Sequence, residues 1–258
     1  MAKKKNKRKK ENYNDFKIMF ASDFHFPYQH GDAFDAFLDA LKKEQPNVLI
    51  LGGDVVDFYK ISDYVQYPHE GIPLEKEIVL TRLYLREIRE CVGKECTIYW
   101  VEGNHESRLM KYLSKHAPEL LTLPMLSIDE VFNLYDEKID IIYVPSHVLL
   151  EIDDWVFRHG HEMGYGSIVP GNNARKGIYN YGMNYIQGHV HRGNVIHINQ
   201  HNRIFTGVEN PCLCDLNPKY VKGFSGWHLG WTLLVKKEGA SKYKVFQTVL
   251  DEDDDIFW

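Results

Sequence analysis

The stretch Val48-Leu49-Ile50-Leu51-Gly52-Gly53-Asp54-Val55-Val56-Asp57 sets an apolar run against a polar turn. Four apolar residues stopped by glycines read as a buried strand. The glycines permit a backbone that other residues avoid and leave the Asp54 carboxylate open. The same order recurs outward from this point. Ile18-Met19-Phe20-Ala21 precedes Asp23-Phe24-His25, and Ile98-Tyr99-Trp100-Val101 precedes Gly103-Asn104-His105-Glu106. Trp155-Val156-Phe157-Arg158 leads into His159-Gly160-His161, and Asn184-Tyr185-Ile186-Gln187 into Gly188-His189-Val190-His191.

Between these runs the apolar spacing changes. Phe34, Phe37, Leu38 and Leu41 recur at helical intervals. The periodicity predicts helices over 33–44, 74–91 and 107–115 and strands over 16–21, 47–51 and 97–101. A β-α-β-α-β-α order belongs to a sheet with helical crossovers. The second half predicts short strands over 139–144, 148–152, 155–158, 195–198, 203–206, 229–235 and 243–249. Turns at Asp153-Asp154 and Gln200-His201-Asn202 suit antiparallel hairpins. The expected fold class is α/β (α+β), a β-sandwich flanked by helices. The polar clusters fall at strand ends, where ligands of open α/β sheets gather.

The chain has 258 residues, 44% hydrophobic and 26% charged, which is enough apolar material for a sizeable core. No apolar run nears the ~20 residues that cross a bilayer. The basic start lacks the apolar stretch of a secretory signal. The expected compartment is the cytoplasm, with no membrane partner. No Pro/Gly/Ser-rich linker interrupts the chain, so one domain is expected over 15–250. Composition predicts a disordered basic leader over 1–14 and an acidic tail over 251–258 with the apolar tip Ile256-Phe257-Trp258. The first ten residues carry seven Lys or Arg, whereas the body over residues 11–250 holds 24 basic against 31 acidic residues, a net of −7. Such a body does not by itself attract a long polyanion. Cys91 with Cys96, and Cys212 with Cys214, lack the C-x-x-C spacing of a redox or zinc site and are expected to be partly buried free thiols.

The clusters carry the chemistry. Asp23 and His25 are two apart just past a strand; in extended backbone their side chains share one side and can grip one cation. Asp54 offers a carboxylate to two cations, Asn104 an amide oxygen, and His159, His189 and His191 imidazoles. A mixed oxygen and nitrogen set suits Mn²⁺, Fe, Zn²⁺ or Co²⁺ better than Mg²⁺ or Ca²⁺. A single D-x-H is most often a cap or turn, and a single G-D a turn. Five such clusters in this order, each ending a strand, carry the metal reading together.

In the order D-x-H, G-D-x-x-D, G-N-H-E, H-G-H and G-H-x-H, the clusters resemble the calcineurin-like metallophosphoesterase superfamily. The chain as a whole is similar to small members from bacteria and their phages. The resemblance runs from about Phe16 to His191, and the later strands fit that fold's second sheet. It implies two divalent metals at the edge of the sandwich, with Mn²⁺ favoured and Fe, Zn²⁺, Co²⁺ or Ni²⁺ compatible. By position it assigns Asp23, His25 and His191 to one metal, Asp54 to both, and Asn104, His159 and His189 to the other. It implies that the metals share an attacking hydroxide. It makes His105 the general acid on the leaving oxygen, Asp57 the residue that orients its ring, and Glu106 a support. His161 competes with His159 for the fourth motif, and the family's usual ligand is the first histidine. His30, His69, His116, His147, His197, His201 and His228 lie outside the motifs and are expected to be surface or hydrogen-bonded residues.

The substrate is less constrained. The protein Ser/Thr phosphatase branch resembles G-D-Y-V-D-R-G at the second motif, and Phe58 stands where its phosphate-holding arginine would be. Arg108 and Arg192 are candidate substrate contacts, with Arg175 in the glycine-rich stretch 164–182 a further one. Tyr165, Tyr179, Tyr181 and Tyr185 could stack on a base or simply pack. The leading expectation is a metal-dependent phosphoesterase, of the phosphodiesterase or nuclease-like kind, acting on a nucleotide or nucleic-acid phosphoester. A phosphomonoesterase for a small metabolite or nucleotide is the alternative. A metal-free scaffold on the same fold and a nucleic-acid-binding protein led by residues 1–10 are readings from other classes.

Overall fold

The computed structural model describes residues 15–63, 71–164, 167–200, 202–217 and 226–250. The basic leader and the acidic tail lie outside them. In chain order the elements are β1 (Phe16–Ala21), α1 (Gly31–Glu44), β2 (Val48–Leu51), α2 (Leu74–Val92), β3 (Thr97–Val101) and α3 (Ser107–His116). Then come α4 (Ile128–Phe132), β4 (Ile141–Val144), β5 (Leu150–Ile152), β6 (Trp155–Arg158), α5 (Asn172–Tyr181) and β7 (Asn184–Gln187). The last four are β8 (Asn194–Gln200), β9 (Arg203–Glu209), β10 (Leu229–Lys236) and β11 (Lys244–Leu250).

Two sheets form. The first runs β11-β10-β1-β2-β3-β4 and the second β5-β6-β7-β9-β8. Strands β1 to β4 are mutually parallel, whereas β10 and β11 add antiparallel on the β1 side. In the second sheet β6, β7 and β9 are parallel, and β5 and β8 close its edges antiparallel.

Alternation along β1 explains the layers. Met19 and Ala21 face one way, into a core with Phe34, Phe37 and Leu41 of α1 and Leu85 and Ile88 of α2. Ile18 and Phe20 face the other way, against Trp155, Phe157 and Ile186 of the second sheet. Helix α5 covers the outer face of that sheet, with Ala174 and Ile178 on Val156, Tyr185 and Phe205. The order of layers is therefore helix, sheet, sheet, helix, the flanked sandwich that the sequence predicts. Phe20 is fully buried and stacks on Phe157 with ring centroids 6.3 Å apart. Truncating such a ring to alanine costs about 3–5 kcal/mol.

Three expectations change. The later strands do not all join the second sheet: β4 extends the first at β3, and β10 and β11 extend it at β1. Parallel β1 has a free edge after β2 is placed, and the apolar face of β10 fills it. β5 with β6 and β8 with β9 pair as antiparallel neighbours, yet β6 and β7 pair parallel because α5 crosses between them, and β9 lies parallel to β7 because β8 intervenes in sequence. That helix lies inside the stretch read only as glycine-rich. Its Gly177 presses on Tyr185, where an added Cβ would come within 2.2 Å of the ring. Here glycine marks close helix-to-sheet packing rather than a loop.

Candidate metal centre

Because β1, β2 and β3 are parallel, and β6 and β7 are parallel, the loops after all five emerge at one edge of the sandwich. The first two loops are stitched together. Asp23 N–H donates to Gly53 O at 3.0 Å, His25 N–H to Asp54 O at 2.9 Å and Phe26 N–H to Val55 O at 2.8 Å. Asp23 and His25 are not extended. Their φ angles are 58° and 51°, and those of Asp54, His189 and His191 are 50°, 68° and 57°. Left-handed backbone is unfavourable for residues with a side chain and persists where surrounding structure holds it. Between Asp23 and His25, Phe24 is driven into the core against Phe26, 5.1 Å away, and Phe34. The two metal-type residues, themselves buried, flank that anchor. Gly53, at φ 88°, lies so close to His159 that an added Cβ would sit 2.5 Å from its ring.

Buried carboxylates organise the site. Glu106 accepts N–H groups from Gly103 at 2.7 Å, Asp54 at 3.0 Å, Val55 at 2.7 Å and Val56 at 3.3 Å. It therefore shapes the Gly-Gly-Asp turn from beneath. Asp54 Oδ1 accepts His105 N–H at 2.9 Å, and its Oδ2 lies 3.9 Å from His25, 3.7 Å from His105 and 3.3 Å from His159. Asp23 accepts His189 N–H and stands 3.1 Å from Nε2 of His191.

These residues fit divalent cations. His159 Nδ1 is committed to Gly52 O at 2.8 Å, so Nε2 alone faces Asp54 Oδ2 and Asn104 Oδ1, the latter at 3.2 Å. Two acceptor oxygens converge on this one imidazole nitrogen, where a proton or a cation sits favourably. Burial opposes charge on His159, yet Asp54 lifts its pKa to about 10. Burial likewise opposes ionisation of Asp23, but His191 holds that carboxyl down at about 2. Asp54 is kept well below the ordinary carboxylate range by His105 and His159 against the cost of burial. The site keeps its own carboxylates ionised and calls for cations. Donor atoms of Asp23, His25 and Asp54 lie within 4.8 Å of one another, as do those of Asp54, His159 and His189. Asp54 belongs to both groups. His161 stays outside both; it is partly exposed, and its ring is 5.4 Å from that of His159.

The His105 ring is contacted by the main chain of Asp57. Its Nδ1 bonds to the main-chain carbonyl of Asp57 at 2.8 Å, while the Asp57 carboxylate is 3.1 Å from Nδ1 of His25. Arg108 spans the same corner, donating to Asp57 O at 2.7 Å and meeting His105 Nε2 at 2.8 Å. With Nδ1 donating to a carbonyl, Nε2 is the acceptor in that contact. Burial pushes the His105 pKa down to about 3, only partly offset by Asp54.

Other candidates lie apart. Arg192 donates to Ile168 O at 3.1 Å, and Arg175 is exposed on α5. Phe58 is fully buried against Phe132 and is a core residue. Tyr185 is buried and stacks with Tyr181, so these two pack; Tyr179 is exposed on α5, and Tyr165 lies outside the described residues. His30 caps α1, accepting Ala33 N–H at 3.3 Å. His69 and His201 lie outside the described residues. Two neighbours of the site had no motif to announce them. Trp227 sets its ring 4.3 Å from that of His191, and Cys214 Sγ is 3.7 Å from His191 Nδ1. The C-x-C spacing of Cys212 and Cys214 was the available signal for the latter.

A scan against family models matches the calcineurin-like phosphoesterase model over residues 16–193. The chain belongs to that family. Two curated relatives are the Gene 54 proteins of Mycobacterium phages L5 and D29, 23% and 24% identical over 230 residues, covering 84% of this chain and 88% of each relative. Among solved structures, Vps29 of Cryptosporidium parvum gives a TM-score of 0.47 at 12% identity, covering 92% of this chain and 99% of its own. A dimetal phosphatase from Danio rerio gives 0.43 at 12% identity, covering 90% and 98%. The Pseudomonas putida nuclease MPE gives 0.37 at 13% identity, covering 90% and 87%. Scores this low leave the activity to the family and to the site. Among the described residues no helix is long and apolar enough to cross a membrane.

Proposed function

We propose that the chain is a phosphoester hydrolase working with two divalent cations, Mn²⁺ favoured, and that its preferred substrates are phosphodiesters of a nucleotide or nucleic acid. The observation that carries this reading is Asp54, whose Oδ2 stands 3.3–3.9 Å from His25, His105 and His159 at once. Asp23, His25, Asp54 and His191 would hold one cation, and Asp54, Asn104, His159 and His189 the other. When bound, the cations would supply the acidity that makes water a nucleophile at neutral pH and the positive charge that phosphoryl oxygens need.

The chain's own residues do the rest. Arg108 now donates toward His105 Nε2. A phosphoryl oxygen is a stronger, charged partner for a guanidinium, so an arriving ester draws Arg108 onto itself and frees that nitrogen. The same negative charge favours a proton on Nε2, which burial otherwise resists. His105 then passes that proton to the departing oxygen. The protein uses its main chain at Asp57 to keep the ring facing that oxygen. Arg108 is the guanidinium brought to the site, and Arg192 is turned to Ile168. A single clamp suits the one charge of a diester better than the two of a monoester.

The compartment is the cytoplasm, and residues 15–250 form one domain. The test is Mn²⁺-dependent turnover of a chromogenic diester beside that of the matching monoester. Strong monoester preference would reverse the substrate assignment and favour a phosphomonoesterase. Absence of turnover of either ester, together with failure to bind metal, would favour the metal-free scaffold.

A further inference from the structure

We propose that Cys214 makes, with His25 and His191, a cation site of its own that takes a soft ion such as Cd²⁺ or Zn²⁺. The segment Cys212-Leu213-Cys214 runs beside the loop that carries Asp23 and His25. Leu213 N–H donates to Asp23 O at 3.1 Å, His30 N–H donates to Leu213 O at 2.8 Å, and Gln29 forms an antiparallel bridge with Cys214. Main-chain pairing thus delivers a thiol to the metal-type histidines without any motif of its own. Cys214 Sγ lies 3.7 Å from His191 Nδ1, and one donor atom from each of His25, His191 and Cys214 lies within 4.8 Å of the other two. All three residues are buried.

The Cys214–His191 spacing fits a tetrahedral ion. Ligands at ~2.1 Å for nitrogen and ~2.3 Å for sulfur stand about 3.6 Å apart around such a centre. A second observation points the same way. Asp57 occupies Nδ1 of His25 at 3.1 Å, and Nε2 of His25 is buried without a hydrogen-bond partner. A buried polar atom left so is costly unless something binds it. Sulfur beside two imidazoles selects thiophilic ions, in contrast to the carboxylate-rich set around Asp54. On binding, the Cys214 thiol gives its proton to solvent and ligates as thiolate. Since His25 and His191 serve both sets, a soft ion there competes with the carboxylate-bound ion of the first half-site.

The test is Cd²⁺ titration of the chelator-treated full chain, read by the ultraviolet thiolate-to-cadmium charge-transfer band. The band is expected to saturate and to persist in Cys91→Ser and Asp54→Asn. It is expected to vanish in Cys214→Ser, with Cd²⁺ affinity falling on the order of tenfold or more. Cd²⁺ binding without the band, or a band that survives Cys214→Ser, overturns the assignment and leaves Cys214 as a hydrogen-bond partner of His191. Asp54→Asn keeps the two readings apart, because it damages the carboxylate half-sites and none of the sulfur set. Should Cys214→Ser fail to fold, the cadmium NMR resonance of the wild-type chain decides. A shift in the sulfur-ligated range supports the site, and one in the oxygen and nitrogen range overturns it.

Discussion

Asp57 holds His105 by its main chain: the carbonyl meets Nδ1 at 2.8 Å, whereas the carboxylate stands 3.6 Å from that nitrogen. The carboxylate instead engages His25 at 3.1 Å. Asp57→Ala therefore keeps the contact that aims His105 and loses the one that steadies His25. Metal affinity is expected to drop about 10–100-fold, as for other groups that orient a ligand. Turnover at saturating Mn²⁺ is expected to stay within a few-fold of wild type. A loss of hundreds-fold that excess metal does not restore would show that the carboxylate aims His105 after all.

The roles of His105 and Asp54 separate by two measurements on two variants. His105→Ala removes a ring but none of the proposed ligands. Bound metal is expected to remain while turnover falls on the order of 10²–10⁴-fold. Asp54→Asn weakens the residue common to both donor groups, so metal content and turnover fall together. Elemental analysis of each purified variant beside its turnover checks both; full activity in either contradicts the assigned role.

Glu106 gathers N–H groups from Gly103, Asp54, Val55 and Val56 with its two oxygens. An amide at this position offers one acceptor and turns two donors toward groups that also donate. Glu106→Gln is expected to lower stability by about 1–3 kcal/mol and to weaken metal binding through Asp54. Denaturant midpoints with and without Mn²⁺ read both effects. An unchanged midpoint would mean that the turn keeps its shape unaided.

Much of this site was legible because metal chemistry leaves local marks. Asp54 follows an apolar run, and His159 was preferred to His161 on family resemblance; the structure puts His159 inside the donor group and His161 beside it. Backbone conformation was less legible. D-x-H reads as extended, but around buried Phe24 both flanking residues take left-handed φ. Long-range pairing was hardest to read. Whether β10 joins the first or the second sheet depends on which edge is free, and the placement of Cys214 depends on main-chain bonds to a loop almost two hundred residues earlier. Nothing local in either segment records those partners.

Glu77 gives stability a pH dependence of known sign. It lies buried in α2 and accepts the Phe58 N–H, next to Asp57. Burial, with the negative charge of Asp57 added, pushes its carboxyl from 4.5 up to about 8. The folded state thus binds this proton more tightly than the unfolded chain does. The contribution is fully present below about pH 4.5 and is lost as pH rises through about 8. Glu77→Gln stays neutral and keeps an oxygen for Phe58, so its stability should not carry this slope. The difference between wild type and variant cancels the other titrating groups. It is expected to shift in the variant's favour by a few kcal/mol, order of magnitude, between about pH 5 and about pH 9. Urea midpoints across that range measure it, and parallel curves for the two proteins would show that Glu77 titrates as an ordinary carboxylate.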